Sequence, residues 1–166
     1  EALHARGGID MQTARNMSRQ AQGNFSKALH LLRDDDEEKP FEEWFVKWVR
    51  AAFRAKGNAT AINDLLEWSE EISKLGRETQ KKFLLYCIEM FRQALLLNYQ
   101  APTLVYVQPK IEKFQLENFA PFVNGNNINE IFKELSDAFY HIERNGNAKV
   151  ILTDLSIKLT RLIHKN

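Results

Sequence analysis

Apolar residues recur every three or four positions along most of this chain, which is the period of amphipathic helices. Pro40 suits the first turn of a helix that Gly57 ends, and its apolar stripe is Phe41, Trp44, Phe45, Trp48, Val49, Ala52 and Phe53. Asn58 or Thr60 then caps a second helix, which Gly76 ends. The predicted apolar face of that helix is Ile62, Leu65, Leu66, Ile72 and Leu75, with Trp68 nearby.

Arg77–Tyr99 predicts the longest helix, and its apolar residues cover more than one side. We expect such a helix to be central, with neighbours on several sides. The proline-interrupted stretch after it predicts one short helix around Ile111–Phe119. Asn126–Asn129 offers a cap for a further helix, a turn follows at Gly146, and a last helix contains Val150–Ile163.

The residues before the acidic run Asp34–Lys39 predict only two short helices, which are too small to bury a core of their own. The acidic run predicts a solvated linker and not a metal site, because consecutive carboxylates repel one another and no spaced ligands accompany them. Strand patterns are nearly absent. The sequence therefore predicts an all-α protein, with a two-helix segment over 1–36 and a bundle of about five helices over 37–166.

Composition narrows the classes of function. The chain has 166 residues, 44% hydrophobic and 27% charged, which is typical of a globular protein. Its net charge of +1 argues against a strong non-specific hold on nucleic acid or on an anionic membrane. The single cysteine, Cys87, excludes an intramolecular disulfide and a multi-cysteine zinc site. We expect a cytoplasmic location without membrane contact, and Glu1 in place of Met indicates a fragment of a longer polypeptide.

No motif for catalysis, cofactor binding or metal binding is found in the sequence. Phosphate-binding glycine loops, nucleophile elbows and paired zinc ligands are missing. The histidines are scattered, without a second ligand at helical spacing: His4, His30, His141 and His164. The sequence therefore predicts no catalytic residue, no cofactor, no metal and no small-molecule substrate.

Basic residues are the remaining candidates for a functional surface, and they lie on two predicted helices: Lys47, Arg50, Arg54, Arg77, Lys81, Lys82 and Arg92. They could contact phosphates, form solvated helix faces, or hold acidic residues of another subunit. Arg92 is a charge among apolar neighbours, and a buried or interfacial arginine needs a carboxylate partner. We take Arg77, Lys81 and Arg92 as candidate subunit-interface residues.

Two parts of the sequence resemble parts of AAA+ clamp-loader subunits. Ala14–Leu29 is similar to their lid subdomain, in which a helix ends at a glycine and a small residue and an Ala-Leu pair follow. The remainder resembles the collar domain of delta-prime subunits of bacterial DNA polymerase III, best over Arg77–Tyr86 and Asn147–Leu155. The resemblance divides the chain into a partial lid, 1–36, and a collar, 37–166.

One departure from the family pattern bears on ATP use. Nucleotide-hydrolysing members place an arginine that senses ATP two residues before the Ala-Leu pair. This chain has Ser26 there, with Lys27 beside it, and serine provides no fixed cation for a γ-phosphate. The departure suits the non-hydrolysing delta-prime subunit. The alternative that Lys27 takes the place of the arginine stays open.

The resemblance implies a non-catalytic assembly domain in the pentameric ring that loads the sliding clamp onto primed DNA. Its implied partners are the motor (tau/gamma) and delta subunits, bound through the collar, with only indirect contact with DNA. This role predicts exposed apolar surface, for which Arg77–Tyr99 and Val150–Ile163 have surplus apolar positions.

Three other interpretations stay open. The chain could be the collar of a motor subunit, or an enzyme or ligand-binding domain with a pocket among its aromatic helices. It could also be a helical nucleic-acid-binding domain, although its near-zero net charge weakens this interpretation, which depends on Lys47, Arg50, Arg54, Lys81 and Lys82.

Overall fold

The computed structural model describes residues 35–99 and 116–165 of the chain. These ranges contain six α-helices and no strand, which confirms the predicted all-α class. The helices are α1 (Asp35–Arg54), α2 (Ala59–Ser73), α3 (Arg77–Asn98), α4 (Leu116–Phe119), α5 (Ile128–Glu143) and α6 (Ala148–Ile163), with a 3-10 turn at Ala120–Phe122. The two short helices expected before the acidic run lie outside the described residues, so the division at residue 36 stays a prediction.

Helix α1 begins at Asp35, inside the acidic run for which we predicted a linker. Pro40 consequently lies inside the helix and not in its first turn. Acidic residues at the start of a helix interact favourably with the positive end of its dipole, which favours a start within the acidic run. This effect and the packing of the rest of α1 offset the cost of Pro40, which removes one backbone hydrogen bond from the helix. The predicted linker is therefore wrong over Asp35–Lys39.

Asparagine side chains begin two of the helices, and one of them, Asn58, is a cap that the sequence predicts. Asn58 Oδ1 accepts hydrogen bonds from the backbone amides of Thr60, at 3.0 Å, and Ala61, at 3.3 Å. Asn147 Oδ1 accepts from the amide of Val150 at 3.2 Å. These bonds satisfy amides that have no partner within their own helix, and they fix where α2 and α6 start.

Helix α3 is the central element, as its apolar pattern predicts. Every residue from Phe83 to Phe91 is buried, and α3 contacts α1, α4 and α5. The surplus apolar residues of α3, such as Leu85 and Met90, belong to this core. They do not form the exposed surface that the collar role led us to expect on this helix.

A stacked pair of tryptophans joins three helices on the other side of the core. The rings of Trp48 on α1 and Trp68 on α2 lie 4.8 Å apart with an interplanar angle of 5°, and neither side chain is exposed. Trp48 Nε1 donates to Ser156 Oγ of α6 at 2.9 Å. Trp68 Nε1 donates to the Trp44 carbonyl at 3.0 Å. Both indole N–H groups are thus satisfied inside the core.

The buried face of α2 differs from the predicted one. Ala61, Leu65, Trp68 and Ile72 face the core, whereas Ile62 and Leu66 are exposed. The helix is rotated by about one residue relative to the prediction, because Trp68 stacks on Trp48 and brings its own side of α2 inward.

Asn127 holds the end of α6 against the turn before α5. Its side chain is completely buried, and Nδ2 donates to the carbonyls of Phe122, at 2.7 Å, and Leu162, at 3.0 Å. Its Oδ1 accepts from the amide of Asn124 at 3.0 Å. We predicted a helix cap from this asparagine-rich stretch, but Asn127 makes no side-chain capping bond to α5. Its side chain is used instead for these contacts between distant parts of the chain.

We expect Asn127→Ala to lower the free energy of unfolding by about 2–3 kcal/mol, because it removes a completely buried side chain that makes three hydrogen bonds between distant parts of the chain. Asn129→Ala is the matched control, since Asn129 is exposed on α5. Urea denaturation followed by circular dichroism measures both variants. Equal losses in the two would contradict the role given to Asn127.

Candidate protein interface

Arg77, the first candidate, makes contacts within the chain. Its Nη1 donates to the carbonyl of Ile142 at 3.1 Å and to that of Gly146 at 3.3 Å. The last turn of α5 and the loop after it are thereby held against the start of α3. The guanidinium adds a second donor to the Ile142 carbonyl, which also accepts from the amide of Asn145 at 3.1 Å.

Lys81, the second candidate, is half-buried on α3. Its Nζ lies 2.9 Å from Glu78 Oε1, one turn earlier on the same helix. The ammonium also lies 5.9 Å from the centre of the Phe139 ring of α5, within the range of a cation–π contact. Most of the Lys81 side chain therefore covers the contact between α3 and α5.

Arg92, the third candidate, has the carboxylate partner that its position requires, and that partner lies on the same helix. Arg92 Nη1 is 3.0 Å from Glu89 Oε1, and the two side chains are 13% and 5% exposed. Gln93 Nε2 also donates to Glu89 Oε1. Glu89 Oε2 is buried and has no hydrogen-bond partner in the described part of the chain. Burial raises the pKa of Glu89, while its contacts with Gln93 and Arg92 act in the opposite direction.

The three candidates do not form one cluster. Arg77 and Lys81 lie one turn apart at the start of α3, and Arg92 lies about 16 Å further along the helix axis than Lys81. All three have partners in the chain itself. A contact between any of them and another subunit stays a prediction. Ser26 and Lys27 lie outside the described residues.

Several of the basic residues on which the nucleic-acid interpretation depends, which we call the basic stripe, lie beside carboxylates. Lys47 Nζ lies 2.8 Å from Glu71 Oε2, and Arg54 Nη2 lies 3.7 Å from Asp64 Oδ2. Both carboxylates belong to α2, which runs beside α1. Together with the Lys81 pair, these contacts reduce the positive potential that the stripe would present to phosphates.

Exposed apolar side chains concentrate on a different surface, where α2 lies beside α6. Ile62 is 47%, Leu66 45% and Ile157 55% exposed, and Val150 lies further along α6 at 63%. Two other large apolar side chains are exposed in the described ranges, and each has a partner. Phe53 stacks on His164 with ring centres 5.6 Å apart, and the Arg144 guanidinium lies 4.1 Å from the centre of the Tyr140 ring.

A groove of about 310 Å³ lies between Ile62 and Leu66 of α2 and Ile157 of α6, and we call it the α2–α6 groove. Its lining residues come from the turn after α1, from α2 and from α6: Ala55, Ile62, Leu65, Leu66, Ser69, Thr153, Ser156, Ile157, Thr160 and Arg161. Most of them are apolar or present methyl groups. The groove is therefore a surface for apolar side chains.

The floor of the groove contains two serines whose hydroxyls are used within the protein. Ser69 Oγ donates to the Leu65 carbonyl at 2.9 Å, and Ser156 Oγ donates to the Leu152 carbonyl at 2.8 Å. Ser156 Oγ also accepts the hydrogen bond from Trp48. The floor is thus fixed by the tryptophan pair, and its hydroxyls need no ligand.

One end of the groove is basic. The two helices run antiparallel, with Lys149 Nζ 4.0 Å from Glu70 Oε2 at one end and Arg161 at the other. Arg161 is exposed, and its side chain has no ion pair or hydrogen bond within 35–99 and 116–165. Lys56, which follows the groove residue Ala55, is likewise exposed and unpaired in that part of the chain.

Sequence reasoning missed this surface because it assigned Ile62 and Leu66 to the core. The available signal was a second apolar stripe on α2, displaced by one residue from the stripe that contains Trp68. On the last helix, Val150 and Ile157 are exposed at successive positions along α6, as the surplus of apolar residues there led us to expect. Arg161 was not singled out, since a lone arginine near a helix end is common.

The described residues include no group of three or more His, Cys, Asp or Glu side chains that could hold a metal ion. Over the same ranges, no helix has the length and the apolar character needed to cross a membrane. Cys87 is buried, and its burial raises the pKa of the thiol well above the ordinary value. A thiol in this state is a poor nucleophile.

Comparison of the chain with protein-family models, with curated proteins and with solved structures finds no match. The resemblance to clamp-loader subunits therefore stays a prediction from the sequence.

The buried Glu89 predicts a specific pH dependence. Its pKa is raised in the folded state, so the folded state binds this proton more tightly than the unfolded chain does. The stabilisation that the bound proton gives is present below the ordinary value of 4.5 and is lost as pH rises through the raised pKa. We therefore expect the free energy of unfolding of Glu89→Gln, relative to the original protein, to increase with pH over this window.

Urea titrations between pH 4 and pH 8 measure this difference in free energy of unfolding. Loss of the ion pair with Arg92 adds a constant to the difference, so the test uses the change of the difference with pH. Glu67→Gln, which removes an exposed carboxylate of α2, is the control for net charge. If the two variants show the same pH dependence, the effect does not come from the burial of Glu89.

Proposed function

We propose that this chain is a subunit-assembly domain without an active site of its own, the collar of a delta-prime subunit in a bacterial replicative clamp loader. In this role it holds its subunit in the pentameric ring that loads the sliding clamp onto primed DNA. Its partners are the motor (tau/gamma) and delta subunits, its contact with DNA is indirect, and its location is the cytoplasm.

The observation that carries the proposal is the exposed apolar surface of the α2–α6 groove. Ile62, Leu66 and Ile157 are each about half exposed on its rim. Complete burial of a large aliphatic side chain contributes about 1.5–3 kcal/mol, so covering these three contributes roughly 3 kcal/mol. A contact of that size is too weak to hold a complex alone, but it suits one of several contacts in a closed ring.

The packing under the groove supports a mechanical role. Trp48 joins α1, α2 and α6 through its stack on Trp68 and its hydrogen bond to Ser156. The walls of the groove are therefore already in place before a partner binds, which lowers the entropy lost on association. A domain that keeps subunits in order benefits from such a preorganised surface.

The collar of a motor subunit would use the same groove. What argues against this alternative is Ser26, which occupies the position where motor subunits have the ATP-sensing arginine. The nucleic-acid interpretation is less well supported, because α2 carboxylates lie beside Lys47 and Arg54. An enzyme with an aromatic pocket is the least supported, since the large aromatic side chains Trp48, Trp68 and Phe83 are packed in the core.

The decisive test mixes this chain with the collar fragments of the motor and delta subunits from the same source and measures the masses by size-exclusion chromatography with light scattering. We expect a stable mixed assembly. Ile157→Asp should weaken it at least about tenfold, since it places a charge on the apolar rim. Tyr140→Asp, which changes an exposed side chain outside the groove, should not.

The absence of any mixed species with the unaltered chain would contradict the proposal. In parallel, fluorescence anisotropy with a primed DNA duplex tests the main rival. Tight binding by the chain alone, falling steeply with salt concentration, would favour the nucleic-acid interpretation.

A further inference from the structure

We infer that the α2–α6 groove receives an amphipathic helix of a partner protein that carries a carboxylate at the end next to Arg161. The inference rests on the proposed function for the source of that helix. It goes further, because it names the form and the charge of the group that binds.

The shape of the groove selects a helix. The distance along α2 from Ile62 to Ser69 is two turns, about 10 Å. A groove of that length, between two antiparallel helices, accommodates apolar residues at positions i, i+3 or i+4, and i+7 of a third helix. Its volume of about 310 Å³ leaves space for a few side chains, not for a folded domain.

The described part of a second copy of this chain does not have the complementary shape. A partner must insert an apolar ridge, and over 35–99 and 116–165 the exposed large apolar side chains outside this surface are Phe53 and Tyr140. Phe53 is stacked on His164, and Tyr140 is covered by Arg144. Pairing two grooves about a two-fold axis would set one concave surface against another and leave a void. Because the described ranges offer no such ridge, we take the occupant to be a segment of a different protein.

Charge at the two ends of the groove sets the chemistry of that segment. Glu70 at one end lies between Lys149, at 4.0 Å, and Lys74, at 3.9 Å, so the charges there are mixed. At the other end, Arg161 and Lys56 have no ion pair in the described part of the chain. Arginine beside an apolar pocket is a frequent centre of binding energy, and it pairs with carboxylates through two parallel hydrogen bonds.

The inference is tested with two synthetic helical peptides that have the same leucine positions and differ only in the charge of the flanking residues, Glu in one and Lys in the other. Binding is followed through the amide signals of the 15N-labelled chain. We expect the Glu peptide to shift the signals of Ile62, Leu66 and Ile157 and to bind about tenfold more tightly than the Lys peptide at low salt. Arg161→Glu should remove or reverse this preference, whereas Arg144→Glu, a matched change outside the groove, should preserve it.

The inference is overturned if neither peptide shifts the groove signals, if both bind equally, or if Arg161→Glu has no more effect than Arg144→Glu. Groove signals that shift with protein concentration alone would also overturn it, because the occupant would then be a second copy. The peptides contain no clamp-loader sequence, so the two proposals fail separately. Peptide selectivity without a mixed collar assembly refutes only the proposed function. A mixed assembly that is insensitive to Arg161→Glu, with no selectivity between the peptides, refutes only the inference.

Discussion

The packing of Trp48 against Trp68 determines which surfaces this protein buries and which it exposes. The stack brings one side of α2 inward, and the hydrogen bond from Trp48 to Ser156 places α6 beside it. Because Trp68 is inside, Ile62 and Leu66 point outward, and the groove between α2 and α6 is the result. The core contact and the candidate interface are thus two sides of one packing arrangement.

Short-range signals made the helix pattern predictable. Asn58 and Asn147 begin helices because their side chains reach amides two or three residues ahead, and such bonds depend only on local sequence. The start of α1 was not predictable from Pro40, since a proline is favoured in the first turn of a helix but here is the sixth residue of α1. The central place of α3 followed from the large number of its apolar residues.

The groove could not be predicted, because the decision between the two apolar stripes of α2 is made by other helices. Both stripes have helical spacing, and only the positions of Trp48 and Ser156 show which one is inside. The need of Arg92 for a carboxylate was predictable from its apolar neighbours. Glu89 lies three residues before Arg92, and this spacing, which allows an ion pair within a helix, can be read from the sequence. The burial of the pair depends on the packing around α3 and cannot be read from it.

The early start of α1 has a structural consequence. A helix that runs from Asp35 to Arg54 is about 30 Å long, and Trp48 lies about 20 Å from its start. The same helix therefore contains acidic residues at its start and, further along, the indole that holds α2 and α6 beside the groove. Between Asp35 and the tryptophan stack, the chain passes through one continuous helix and no loop.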